Sequence, residues 1–190
     1  MAVELSAELR EAFHRVQESL RRAPLPVRWV RPEGIHLTLK FLGEAAESRL
    51  EEITEALRPA GRGVEAFRLE ACGAVPFPDR GAPRLVWVNV RGDLDSARRL
   101  AGAIETATGR IGFPMERREF KAHLTLGRVR GPGRGEWRAM IERVSDQAAG
   151  PFDVREYVLF QSRLGPGGAV YVPLQRFPLT PCAPTRRTEP

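Results

Sequence analysis

The 190-residue sequence predicts an α+β protein of two pseudo-symmetric lobes. Each lobe is a mostly antiparallel sheet with helices on its outer face, and a groove lies between them. Three observations carry this. The tetrapeptide His-Leu-Thr-Leu occurs twice, at His36–Leu39 and at His123–Leu126, an offset of 87. Apolar stripes at helical spacing recur at the same offset. Each half also carries two strand-like runs separated by turn residues.

The elements follow in order. Ser6 suits an N-cap, and Leu9, Phe13, Val16 and Leu20 form the stripe of a first helix. His36–Leu39 is a strand, so His36 and Thr38 share one face and Leu37 and Leu39 the other. Leu50, Ile53 and Leu57 mark a second helix, and Val64–Val75 and Arg84–Val90 are strands flanking the Pro- and Gly-rich turn 76–83. The order then repeats. Asp93 to about Thr108 reads as helix, with Ser96, Leu100, Ala103 and Ala107 at the offset positions. His123–Leu126 is the matching strand, and Trp137, Met140 and Val144 the matching helix. Phe152–Gln161 and Ala169–Phe177 are strands around the Gly165–Gly168 turn. The Gly- and Arg-rich stretch Arg128–Arg138 reads as a loop. Two copies do not make a solenoid, which needs at least three repeats. Residues 1–180 are expected to form one bilobal domain, duplicated near 1–91 and 92–180, with 181–190 a flexible tail.

Composition bounds the function. Hydrophobic residues make up 42%, as in ordinary globular proteins, and no apolar run approaches a membrane span. The first residues lack the pattern of a signal peptide, so cytoplasmic residence is the default. Cys72 and Cys182 are too few for a disulfide framework and have no neighbours at metal-ligand spacing. The formal charge of +6 is almost wholly arginine, with Lys40 and Lys121 the only lysines. Arginine forks match phosphate geometry, which suits an anionic or nucleic-acid substrate; a GC-rich genome or a heat-adapted surface would give the same balance.

Two of the three histidines, His36 and His123, open the repeated tetrapeptide, each with a threonine hydroxyl beside it. Facing one another across the groove, two imidazoles supply a base for the nucleophile and an acid for the leaving oxygen. Hydroxyls and a guanidinium would hold non-bridging phosphate oxygens, and Arg128 is the natural guanidinium. Strict alternation points Arg128 to the leucine face, so it reaches the groove only if the strand bends near Gly127.

These motifs resemble the two-histidine phosphoesterase superfamily, whose signature is a pair of His-x-Thr-x motifs. Trp29 with His36-Leu37-Thr38-Leu39-Lys40-Phe41-Leu42-Gly43-Glu44, the run Arg118–Arg128, and Ser162 with Tyr171-Val172-Pro173-Leu174 are similar to its RNA 2′,3′-cyclic phosphodiesterase branch, formerly described as 2′-5′ RNA ligases. The likeness runs from about Ala2 to Phe177. It implies an enzyme without metal or other cofactor that opens a 2′,3′-cyclic phosphate at an RNA end to leave a 2′-phosphate. His36 would be the acid for the departing 3′-oxygen and His123 the base for water, or the reverse; Thr38, Thr125 and Arg128 would grip the phosphate. RNA ends, among them tRNA fragments, or small cyclic nucleotides are the implied partners; a monomer is expected because the duplication already supplies internal symmetry. The alternatives are the reverse reaction, 2′-5′ ligation, and an RNA-end-binding module without catalysis.

Two departures stand out. Family members usually begin with a longer first strand carrying an aromatic, and Ala122 stands where proline commonly precedes the second histidine. Trp29, Phe77 and Tyr171 read either as base-stacking residues or as core and rim packing, and Phe41 reads as core. Arg117-Arg118 is the best RNA contact among the arginine pairs, and His14 is a surface or boundary residue.

Overall fold

The computed structural model describes residues 1–22, 26–78, 80–131, 139, 141, 144, 147, 149–165 and 168–181. Ser6 caps α1 (Ala7–Arg21), accepting from the Leu9 amide, and the helix buries the expected stripe together with Gln17. Burying each such apolar side chain contributes roughly 1.5–3 kcal/mol. The second helix is α2 (Leu50–Leu57), and Asp93 caps α3 (Leu94–Arg110) by accepting from the Ser96 amide at 2.9 Å. The expected helix partner positions Trp137 and Met140 lie outside the described residues, as do residues 182–190 of the expected tail. Val144 is helical and packs on the core.

Among the described residues nine strands form one sheet: β1 (Ala2–Glu4), β2 (Val27–Trp29), β3 (His36–Thr38), β4 (Phe67–Phe77), β5 (Leu85–Gly92), β6 (His123–Val129), β7 (Ala149–Val154), β8 (Glu156–Gly165) and β9 (Gly168–Pro178). The order is β7-β4-β5-β6-β3-β1-β8-β9, with β2 also on β6, and every ladder between these strands is antiparallel. β7 and β8 sit near opposite ends of this path, yet Arg155 alone separates them in sequence. The sheet therefore curls until its ends approach. The expected single strand Phe152–Gln161 is in fact these two strands, broken at Arg155, where the chain passes from one end of the sheet to the other.

At the middle of the path β3 meets β6 through the pair Leu37↔Leu124. These are equivalent residues of the two tetrapeptides. An antiparallel pairing centred on equivalent residues is two-fold symmetric about that point, so the sheet itself carries the pseudo-twofold axis. To either side the strand path interleaves the sequence halves: β7-β4-β5-β6 on one side, β3-β1-β8-β9 on the other. Leu37, Leu124 and Leu126 are fully buried in the hydrophobic core. Phe41 is 77% exposed, against the expectation of core. The strand ends at Thr38, the Leu39 and Lys40 amides both turn to the Met1 carbonyl, and alternation no longer governs which way Phe41 points.

Candidate functional site

The register Leu37↔Leu124 fixes the site. Counting outward, His36 stands opposite Thr125 and Thr38 opposite His123. Because Leu37 and Leu124 face the core, all four polar side chains share the concave face. Direct cross-strand neighbours have Cβ atoms about 4.5–5.5 Å apart and diagonal ones about 7–8 Å. The two imidazoles are diagonal, leaving room for a tetrahedral anion between them.

Arg128 joins this face through a bulge. On β5, Val86 pairs with Gly127 and the next residue, Trp87, with Thr125. Leu126 and Gly127 thus stand together against Val86 on the core side, and Arg128 returns to the concave face. The bulged Leu126 carbonyl accepts from the Val30 amide at 2.9 Å and from the buried Gln17 Nε2, also at 2.9 Å. Gln17 Nε2 donates to the Val30 carbonyl as well, at 2.7 Å. Gly127 has no room for a side chain: an added Cβ would overlap Val27 Cγ1 and lie 3.0 Å from Trp29 Cε3. The glycine anticipated as a bend is the place where β2 approaches β6 closely.

Each histidine is held by its own surroundings. The His123 Nδ1–H donates to the Lys121 carbonyl at 2.8 Å, which leaves Nε2 to exchange protons. Its ring stacks on Trp87, with centroids 3.9 Å apart, and Trp87 in turn stacks on Phe77 at 3.5 Å. His36 lies edge-on to Tyr171 at 4.5 Å and stacks at 5.9 Å on Phe160. Glu4 pairs across the ladder with His36, and Asn89 with His123. Burial pushes His36 down to about 4, with the Met1 amino group acting in the same direction and the Gly34 backbone and Glu4 opposing it. Burial also lowers His123, opposed by the hydrogen bond to Lys121. Both shifts favour the neutral imidazole near pH 7.

The structure gathers His36, Thr38, His123, Thr125, Arg128, Tyr171 and Phe77 on one face. Phe77 lies there as the outer ring of the Trp87 stack. Trp29 is set apart: it is half-buried against Gly127 on the core side, because it stands opposite that glycine in the ladder. Arg117 and Arg118 are exposed in the segment before β6, with no described contact to either histidine. Trp87, Phe160 and Gln17 escape a reading of the sequence, since each looks like any core residue until the strand order is known. Among the described residues no cluster of three or more His, Cys, Asp or Glu side chains is placed to hold a metal ion.

Comparison with known proteins agrees with this geometry. The family model described as LigT like Phosphoesterase matches residues 3–87 and 91–171. An RNA 2′,3′-cyclic phosphodiesterase of Methanothermobacter thermautotrophicus is 34% identical over 180 residues, covering 94% of this chain and 97% of the relative. The crystal structure of TT0787 of Thermus thermophilus superimposes with a TM-score of 0.79 at 28% identity, over 94% of this chain and 95% of that one. The E. coli LigT structure complexed with 3′-AMP gives 0.70 at 26% identity, over the same shares.

Proposed function

Because the chain belongs to the LigT-like phosphoesterase family, we propose that it hydrolyses the 2′,3′-cyclic phosphate at the 3′ end of RNA, leaving a 2′-phosphate. The observation that carries this is the pairing of two His-Leu-Thr-Leu strands about Leu37↔Leu124, which sets two imidazoles and two hydroxyls on one face. The names of relatives such as the Methanothermobacter thermautotrophicus enzyme, and the nucleotide bound to the E. coli protein, support the substrate class.

The chemistry follows from the placement. A phosphate seated between the imidazoles accepts from Thr38, Thr125 and Arg128 on its non-bridging oxygens. One imidazole takes a proton from water as the water oxygen bonds to phosphorus. The bond from phosphorus to the 3′-oxygen breaks on the far side, and the other imidazole, protonated, gives that oxygen its proton. The symmetry makes the two rings interchangeable in principle; His36 serves as acid and His123 as base when the 3′-oxygen leaves on the β3 side. An arriving anion stabilises the imidazolium that the acid requires, offsetting the desolvation of both rings. On this reading the enzyme needs no cofactor, completes its site within a monomer, and works on RNA ends in the cytoplasm.

The test is product identity. A short RNA ending in a 2′,3′-cyclic phosphate, incubated in EDTA, should yield the 2′-phosphate. Accumulation of joined RNA would favour the reverse reaction, and tight binding with no opened product would leave a binding module.

A further inference from the structure

The bulge that turns Arg128 into the groove also gives it an unusual neighbour. β2 pairs with β6 so that Arg28 stands directly opposite Arg128. Trp29 faces the core, so Arg28 faces the groove. Like charges directly opposite on a sheet destabilise it. Arg10, Arg68, Arg91 and Arg176 each have a carboxylate beside them. Among the described residues neither Arg28 nor Arg128 has one. The Arg28 side chain is also steered: its Nη2 lies 3.2 Å from where a Cβ would stand on Gly168, at the start of β9. A side chain at residue 168 would press on this guanidinium, so the glycine there eases its placement. Arg130, whose amide continues the ladder by donating to the Pro26 carbonyl at 2.6 Å, falls two residues beyond Arg128.

A pair of opposed guanidiniums facing a groove is a site for an anion. The scissile phosphate is held between the histidines, and Arg128 lies three residues beyond Thr125, about 10 Å along an ideal strand and less across the bulge. Arg28 stands directly across the ladder from Arg128, at the same level along β6 and farther along it from the histidines than Thr125. We propose that Arg28 binds the internucleotide phosphate one step upstream of the cyclic phosphate. The protein would then read a nucleic-acid strand rather than a lone nucleotide. This rests on the cyclic phosphodiesterase reading above. It assigns Arg28 a role in substrate choice, not in the chemical step.

The test compares two substrates that share the reacting group. kcat/KM is measured for a 2′,3′-cyclic mononucleotide, which has no upstream phosphate, and for a trinucleotide with the same terminus. Arg28→Met should lower the trinucleotide-to-mononucleotide ratio tenfold or more, with Arg28→Lys between it and wild type. The salt slope for the trinucleotide should fall by about one. Replacing the upstream phosphodiester by an uncharged methylphosphonate should cost the wild type a similar factor and Arg28→Met nothing further. An unchanged ratio would overturn the assignment, and so would equal losses on both substrates, which would place Arg28 in the reaction site or in the fold. Wild-type protein that opens neither substrate would instead defeat the underlying functional reading, and this assignment with it.

Discussion

The His36 and His123 halves of the groove share a tetrapeptide and differ in almost everything around it. His36 sits between Phe160 and Tyr171, opposite Glu4, and is pushed down to about 4. His123 leans on the Trp87–Phe77 stack, opposite Asn89, and is also lowered. The backbone register supplies the same geometry twice. The neighbours supply two different surroundings, and on the proposed mechanism these would set the proton affinities of acid and base apart. Symmetry here belongs to the sheet, and function to the departures from it.

The largest effect that could break this comparison is removal of either ring. His36→Ala and His123→Ala should each lower kcat on an RNA cyclic phosphate by roughly 10²–10⁴. The double variant should fall far short of the product of the two losses, because acid and base act as a unit. Near-full activity in one single variant would show that its half is only scaffolding.

The next effect follows from proton linkage. The folded His36 titrates near 4 and the unfolded side chain near its ordinary 6.5. As pH falls, the unfolded chain takes up its proton first, so stability is full above 6.5 and is lost as pH drops through 4. The loss reaches about 3 kcal/mol at most. Denaturant titrations at pH 7 and pH 4.5 should show this slope in the wild type and a shallower one in His36→Gln. Equal slopes would mean that His36 is not desolvated as described. Since both rings are lowered, kcat/KM should peak on the acid side of 6.5, and kcat, measured with the anion bound, should peak higher.

Gln17 sharpens the comparison on the His123 side alone. It satisfies the bulged Leu126 carbonyl, which has no equivalent on β3. Gln17→Leu should cost about 1–3 kcal/mol by leaving buried carbonyls short of a donor. It should also raise KM more than it lowers kcat, as Arg128 loses its aim. Loss of stability with unchanged KM would separate the bulge from phosphate binding. The smallest effect is an exchange of neighbours. Glu4→Gln should lower the pH limb assigned to His36, and Asn89→Asp should raise that of His123, each by less than about one unit. Shifts of the same sign in both would refute the pairing of limbs with halves.

Much of this was legible in the sequence, because α1, α2, α3 and the repeated strands are written in apolar spacing, and the start of α1 in the N-cap Ser6. His36, Thr38, His123 and Thr125 could be placed on one face because the period of a strand is two. Alternation failed wherever hydrogen bonding departed from a plain ladder. The bulge rescued Arg128 from the core side, and the end of β3 freed Phe41 from it. Trp29 read either as a base-stacking or as a packing residue, and its partner across the ladder, a glycine that faces inward, decides for packing. The Trp87 shelf and the opposition of Arg28 to Arg128 depend on which strands lie side by side. No local pattern encodes that, since β5, β6 and β2 are distant in sequence.

The Leu37↔Leu124 pair has a consequence for concentration. A contact of equivalent residues about a two-fold axis is the form that two identical subunits adopt when they associate. Here both partners belong to one polypeptide, so that encounter is intramolecular. The groove and its two imidazoles do not come apart on dilution, and turnover per molecule should be the same at nanomolar as at micromolar protein.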